Sequence, residues 1–63
     1  MKSLGVNART LREKQGYTQD KMTDFGFNYR YYQKIEAGEV NATLDTLVKL
    51  AKALKCKLSD LLI

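Results

Sequence analysis

Tyr29, Arg30, Gln33 and Lys34 fall within one short stretch, TQDKMTDFGFNYRYYQKIEAG at 18–38. On a helix these four positions share one face, because side chains three and four residues apart are neighbours. That face is long, polar and cationic. The guanidinium of Arg30 can donate two parallel hydrogen bonds to O6 and N7 of a guanine, and Lys34 can reach the same edge more loosely. Tyr29 can pack on a thymine methyl or donate its hydroxyl to a phosphate. A rigid helix with such side chains near its start has what is needed to enter the major groove of DNA and touch base edges.

Two helices that meet at Gly26 would position this face. Gly26 supplies the permissive backbone that a tight turn needs, and Phe25 and Phe27 flank it as anchors for the corner. The first helix of the pair starts at Thr18, an N-cap, and runs through Met22 to about Asp24 or Phe25. Asn28 caps the second, which spans Tyr29 to Ala37 and closes at Gly38. Its inward residues are Tyr32 and Ile35, with Phe27 as a staple before it. Two helices joined this way are a helix-turn-helix unit. A plain hairpin inside a helical bundle is the other reading. The outer face argues against it, since a purely structural helix more usually mixes Glu and Lys there.

Three further helices frame the pair. The first begins at Ser3 as N-cap, buries Leu4, Ala8 and Leu11, and stops at Gly16. After the connection EVNA, Thr43 caps the helix with the strongest apolar period, with Leu44, Leu47, Val48, Ala51 and Leu54 as its inward stripe. Asp45 in its first turn and Lys52 and Lys55 in its last suit the helix dipole. The last helix covers about Leu58 to Leu62. No alternating run predicts a strand, and only the stretch around residue 56 is ambiguous. The four glycines read as breaks between helices. The expectation is one all-α domain over residues 1–63.

The totals exclude more than they select. Sixty-three residues bury a small core, so association with a second copy is a common remedy. A 44% hydrophobic and 29% charged composition is that of a globular chain rather than a disordered one. The net charge of +4 suits an anionic partner, and suits plain solubility equally well. With one Cys and no His, no disulfide can form within the chain and a zinc site lacks soft ligands. Cys56 has no His to activate it and reads as a small buried apolar residue. There is no paired-carboxylate cleft, Gly-rich phosphate loop or metal cluster, so neither catalysis nor a cofactor is expected. No apolar run approaches the roughly 20 residues of a membrane span, and MKSLGVNART lacks the apolar core of a signal peptide. A lone thiol fits the cytoplasm. The expected location is cytoplasmic, at the nucleoid when bound to DNA.

Residues 11–38, LREKQGYTQDKMTDFGFNYRYYQKIEAG, followed by NATLDTLVKLAKAL at 41–54, resemble the Cro/phage-repressor (XRE-type) helix-turn-helix family. The likeness extends over about residues 3–62. It implies a compact five-helix lambda-repressor-like DNA-binding domain, usually dimeric, whose third helix reads an operator. By the same resemblance Gln19 bonds a phosphate and braces the reading helix. Thr18 beside it, the cap Asn28, Tyr31 and Asn41 take further phosphate or sugar–phosphate positions. Tyr29, Arg30 and Lys34 match the base-reading positions, with Gln33 beside them. Arg12 and Glu36 match an internal ion pair that is structural rather than catalytic.

The chain departs from the family pattern in five places. It is one residue short between Gln19 and Gly26, so the second helix should end early or tighten. Tyr32 replaces an aliphatic core residue and needs room and a partner for its hydroxyl. Thr23 replaces a small Ala. Lys55 stands where Gly commonly ends the fourth helix, and Lys57 stands where a Ser or Thr cap is usual. At the C-terminus Leu58 and Leu61 face the core, which leaves Leu62 and Ile63 little to cover. A two-fold dimer contact through Leu58, Leu62 and Ile63 is one reading, and a core-covering tail is the other. The function expected is that of a sequence-specific regulator, most simply a repressor, dimeric on a near-palindromic double-stranded operator and without a small-molecule ligand. The rivals are a DNA-binding antitoxin and a protein-binding helical module.

Overall fold

The computed structural model describes residues 3–62 of the protein. In chain order it contains α1 (Ser3–Lys14), a 3-10 helix (Asp20–Phe25), α2 (Tyr29–Ala37), α3 (Leu44–Ala53) and α4 (Leu58–Leu62). Among the described residues there is no strand, and residue 56 lies in the α3–α4 link. The domain is all-α, as expected.

The helix ends follow from side chains beside them. Asn28 Oδ1 accepts the Tyr31 N–H at 3.0 Å and opens α2. Thr43 Oγ1 accepts the Thr46 N–H at 3.3 Å and opens α3. α4 starts without a Ser or Thr cap. There the carboxylate of Asp60 reaches back to accept the Lys57 N–H at 3.0 Å, which is the returning half of a capping box. Ser3 is the first residue of α1 rather than the cap before it.

Three helices end alike. The N–H of Tyr17 donates to the Arg12 carbonyl, that of Glu39 to Lys34, and that of Cys56 to Ala51. This is the Schellman closure, which requires a left-handed residue just before the donor. Gly16 and Gly38 fill that position at α1 and α2, while Lys55 fills it at α3 with φ 55°. A side chain there costs roughly 1–2 kcal/mol, the strain that Lys55 in place of Gly implied.

The second helix has tightened, as the missing residue required. Lys21 N–H donates to the Thr18 carbonyl and Met22 N–H to Gln19, both three residues back. A 3-10 helix rises about 2.0 Å per residue against about 1.5 Å in an α-helix. Fewer residues therefore cover the same span. Thr18 Oγ1 accepts the Lys21 N–H at 3.1 Å at its start, and Met22 plugs the core from its middle.

The core lies where all five elements meet: Ala8, Met22, Phe27, Tyr32, Ile35, Leu50, Leu54 and Leu61 are buried. Two expectations fail here. Leu44 and Val48, placed on the inward stripe of α3, are 67% and 39% exposed. Ala51 and Leu54 of that stripe are buried as expected, and Leu50 and Ala53 join them, so the packed face lies in the second half of the helix. Gly5 is not a break. It is buried inside α1, where an added Cβ would stand 2.5 Å from the Glu36 carbonyl oxygen and 2.7 Å from that of Ile35. Its missing side chain lets α1 pass directly over the end of α2.

Candidate nucleic-acid interface

α2 buries Tyr32 and Ile35 and turns Tyr29, Arg30, Gln33 and Lys34 outward. Arg30, Gln33, Lys34, Ala37 and Glu39 line one shallow depression. On the other flank Tyr29 lines a second with Arg9, Tyr17, Thr18, Gln19 and Asp20. Among the described residues neither Arg30 nor Lys34 is held in an ion pair, whereas Arg9, Arg12 and Lys21 are. The two cations of α2 therefore remain available to an anion or a base edge.

A buried polar cluster fixes α2 against α1. Arg12 donates through Nε to Glu36 Oε2 at 2.6 Å and through Nη2 to Oε1 at 3.2 Å, a bidentate fork. Its Nη1 also donates to the Tyr17 carbonyl at 2.6 Å, which ties the segment after α1 into the same cluster. Gln19 Nε2 donates to Glu36 Oε1 at 3.0 Å, and Gln33 Nε2 donates to Gln19 Oε1 at 3.3 Å. The Gln19 amide thus bridges the buried pair to the exposed face of α2.

Electrostatics follow from this packing. Burial disfavours the ionised Glu36 carboxyl, but the hydrogen bonds from its neighbours, Arg12 foremost, outweigh burial and hold its pKa below the ordinary value. The hydrogen bond to Glu36 raises Arg12 further, so the pair stays ionised. Burial pushes the Tyr32 phenol well above its usual 10.0, and the nearby Glu36 charge adds to this. Although that charge is close enough to act on it, the Tyr32 hydroxyl lacks the geometry of a hydrogen bond and has no partner among the described residues.

The turn before α2 rests on contacts from α3. Gly26 has φ 92°, a backbone that disfavours any side chain. Lys49 crosses over it, donating Nζ to the Gly26 carbonyl at 2.7 Å and lying 4.8 Å from the centre of the Phe27 ring. Phe27 meets Tyr32 edge to face at 5.6 Å, and Phe25 packs on Tyr17 at 5.5 Å. Lys49 and Gly5 are positioning residues that the sequence reading passed over. A Lys on the polar side of an amphipathic helix carries no local signal of such a role. Gly5, lying inside the expected first helix rather than at its end, did carry one.

The remaining site residues are distributed as follows. Thr18 and Asn28 are exposed beside the turn, and Tyr31 is half-buried. Asn41 is exposed but lines a different cleft, with Leu4, Val40, Leu47 and Leu62. That cleft also takes in Ile35 and Gly38 at the C-terminal end of α2. Leu58 is half-buried and Leu62 is 41% exposed. Ile63 lies outside the described residues. Cys56 is half-buried, with its thiol pKa raised by burial first and by Asp60 second. No group of three or more His, Cys, Asp or Glu among the described residues is placed to hold a metal. No described helix is long and apolar enough to cross a membrane.

Comparison with known proteins agrees with this architecture. Residues 9–61 match the model of a helix-turn-helix family. Over 54 residues the chain is 39% identical to an uncharacterized HTH-type transcriptional regulator, y4dJ, from Sinorhizobium fredii (strain NBRC 101917 / NGR234), covering 84% of this chain and 70% of that protein. No solved structure matches. The family is one of DNA-binding transcriptional regulators that are typically not enzymes. Matched from within α1 into α4, across the turn at Gly26 and the whole of α2, the chain belongs to the Cro/C1-type helix-turn-helix family.

Proposed function

We propose that this protein is a sequence-specific repressor that binds a near-palindromic double-stranded operator as a two-fold dimer. The observation that carries the reading is the α2 face: Arg30 and Lys34 stand exposed and unpaired beside Tyr29 and Gln33. Tyr29, Arg30, Gln33 and Lys34 contact base edges in the major groove. Thr18, Gln19, Asn28, Tyr31 and Asn41 hold the sugar–phosphate backbone and set the register without reading sequence.

Size supports the dimer. The domain measures 24 × 21 × 19 Å, whereas half-sites one helical turn apart are separated by about 34 Å. One copy reads one half-site, and a palindrome takes two. Leu58, Leu62 and Ile63 form the contact between copies. Exposed Leu62, at the edge of a cleft shared with Leu4, Val40 and Leu47, supports this. Repression follows most simply from occupying the operator, and the protein works in the cytoplasm at the nucleoid.

Fluorescence anisotropy with labelled duplex DNA tests the reading. Phosphate contacts predict an affinity that falls steeply with salt, log K changing by about −0.9 per phosphate neutralised. Arg30→Ala should relax preference at one base pair, while Thr18→Ala, at a proposed phosphate contact, should weaken all duplexes alike. Absence of duplex binding at low salt would sink the proposal.

A further inference from the structure

We infer that Gln33 is a specificity-determining residue that reads an adenine, its amide turned to the required orientation by a hydrogen-bond chain rooted in the buried Glu36 carboxylate. The inference rests on the proposal that α2 enters the major groove. A carboxylate accepts hydrogen bonds and cannot donate them. Glu36 Oε1 and Oε2 take both arms of the Arg12 fork, and Oε1 also takes Gln19 Nε2 at 3.0 Å. Gln19 must therefore aim its amide nitrogen inward and its carbonyl oxygen outward. That oxygen accepts only, so Gln33 must answer it with Nε2, as it does at 3.3 Å. The orientation of two amides is thus dictated by one buried charge.

What Gln33 has left to offer is its carbonyl oxygen and one N–H. Adenine presents an N6 donor and an N7 acceptor in the major groove, the complement of that pair. Guanine presents two acceptors, one of which would face the Gln33 carbonyl. Cytosine matches only its acceptor half, and thymine offers an acceptor and a methyl. In this arrangement Gln19 is a positioning residue: it acts on the base through Gln33.

Selection from random duplex DNA with wild-type protein, Gln33→Ala and Gln19→Met tests this, with thermal unfolding to establish that each variant folds. Wild type should enrich A·T at one pair per half-site by about 5- to 150-fold, the range of one bidentate contact. Gln33→Ala should lose that preference and keep its neighbours. Gln19→Met should weaken binding overall and also flatten the same single position, which loss of a phosphate contact or of stability alone would not do. A motif unchanged in Gln33→Ala, a preferred base other than adenine at the position it controls, or an adenine preference intact in Gln19→Met would each overturn the inference alone. No enriched motif with any protein would overturn the DNA-reading proposal and this inference with it.

Discussion

Glu36 is the residue that ties the packing of α1 on α2 to the face proposed to read DNA. Its carboxylate is 4% exposed and carries both Arg12 and Gln19. Its folded pKa lies below the ordinary 4.5, so the unfolded chain binds its proton more readily. Stability from this group is complete above about pH 4.5 and is lost as pH falls through the folded value. Tyr32 has the opposite sign. Its folded pKa is raised above 10.0, so its contribution is complete below about pH 10 and falls as pH rises past it. Chemical denaturation across pH should show the acid loss in wild type, and Tyr32→Phe should remove part of the alkaline loss. Near neutral pH, Tyr32→Phe should be neutral or stabilising by about 1 kcal/mol, because it removes a buried hydroxyl that has no partner. Destabilisation by more than about 1 kcal/mol would mean the hydroxyl is bonded after all. At this scale the sequence was only partly legible. The polar face of α2 could be read from spacing. The Arg12–Glu36 pairing, 24 residues apart, was suggested only by family resemblance. The chain of amides from Glu36 to Gln33 was not foreseen, because hydrogen-bond direction depends on which groups meet in space.

The elements were legible where a side chain marks a boundary. Asn28, Thr43 and Gly38 stand at the expected starts and stop because capping is a local interaction. The inward stripe of α3 was read correctly at Leu47, Ala51 and Leu54 but not at Leu44 and Val48. Periodicity in a helix rich in Leu, Val and Ala fits more than one face, and the choice is made by the partners that pack on it. The 3-10 form of the second helix had only an indirect signal, one residue too few for the span. Lys55 shows how a local departure survives. The Schellman closure requires a left-handed residue there, and burial of Leu54 and Leu61 on either side of the turn holds the chain in it. Lys55→Gly should raise stability by about 1 kcal/mol, seen as a higher denaturant midpoint with an unchanged slope. No gain would mean the strain is relieved by a contact of the Lys55 side chain.

At the scale of the whole molecule, the all-α class could be read from the sequence, but the surface proposed to cover exposed Leu62 could not, because a contact with a second copy leaves no pattern within one chain. If two copies meet through Leu58, Leu62 and Ile63, Leu62→Glu should leave unfolding of the monomer nearly unchanged, since Leu62 is 41% exposed. The same change should abolish the dimer in sedimentation, with and without DNA. Wild-type protein that stays monomeric at high micromolar concentration in both conditions would contradict the contact. Selection of bound sequences from a random duplex pool by the wild-type protein tests most directly whether two α2 helices read a two-fold operator. The expected result is a palindromic motif with half-site centres about one helical turn apart, near 10–10.5 base pairs. A pool that emerges without an enriched motif, although the protein is folded and the salt is low, would contradict it.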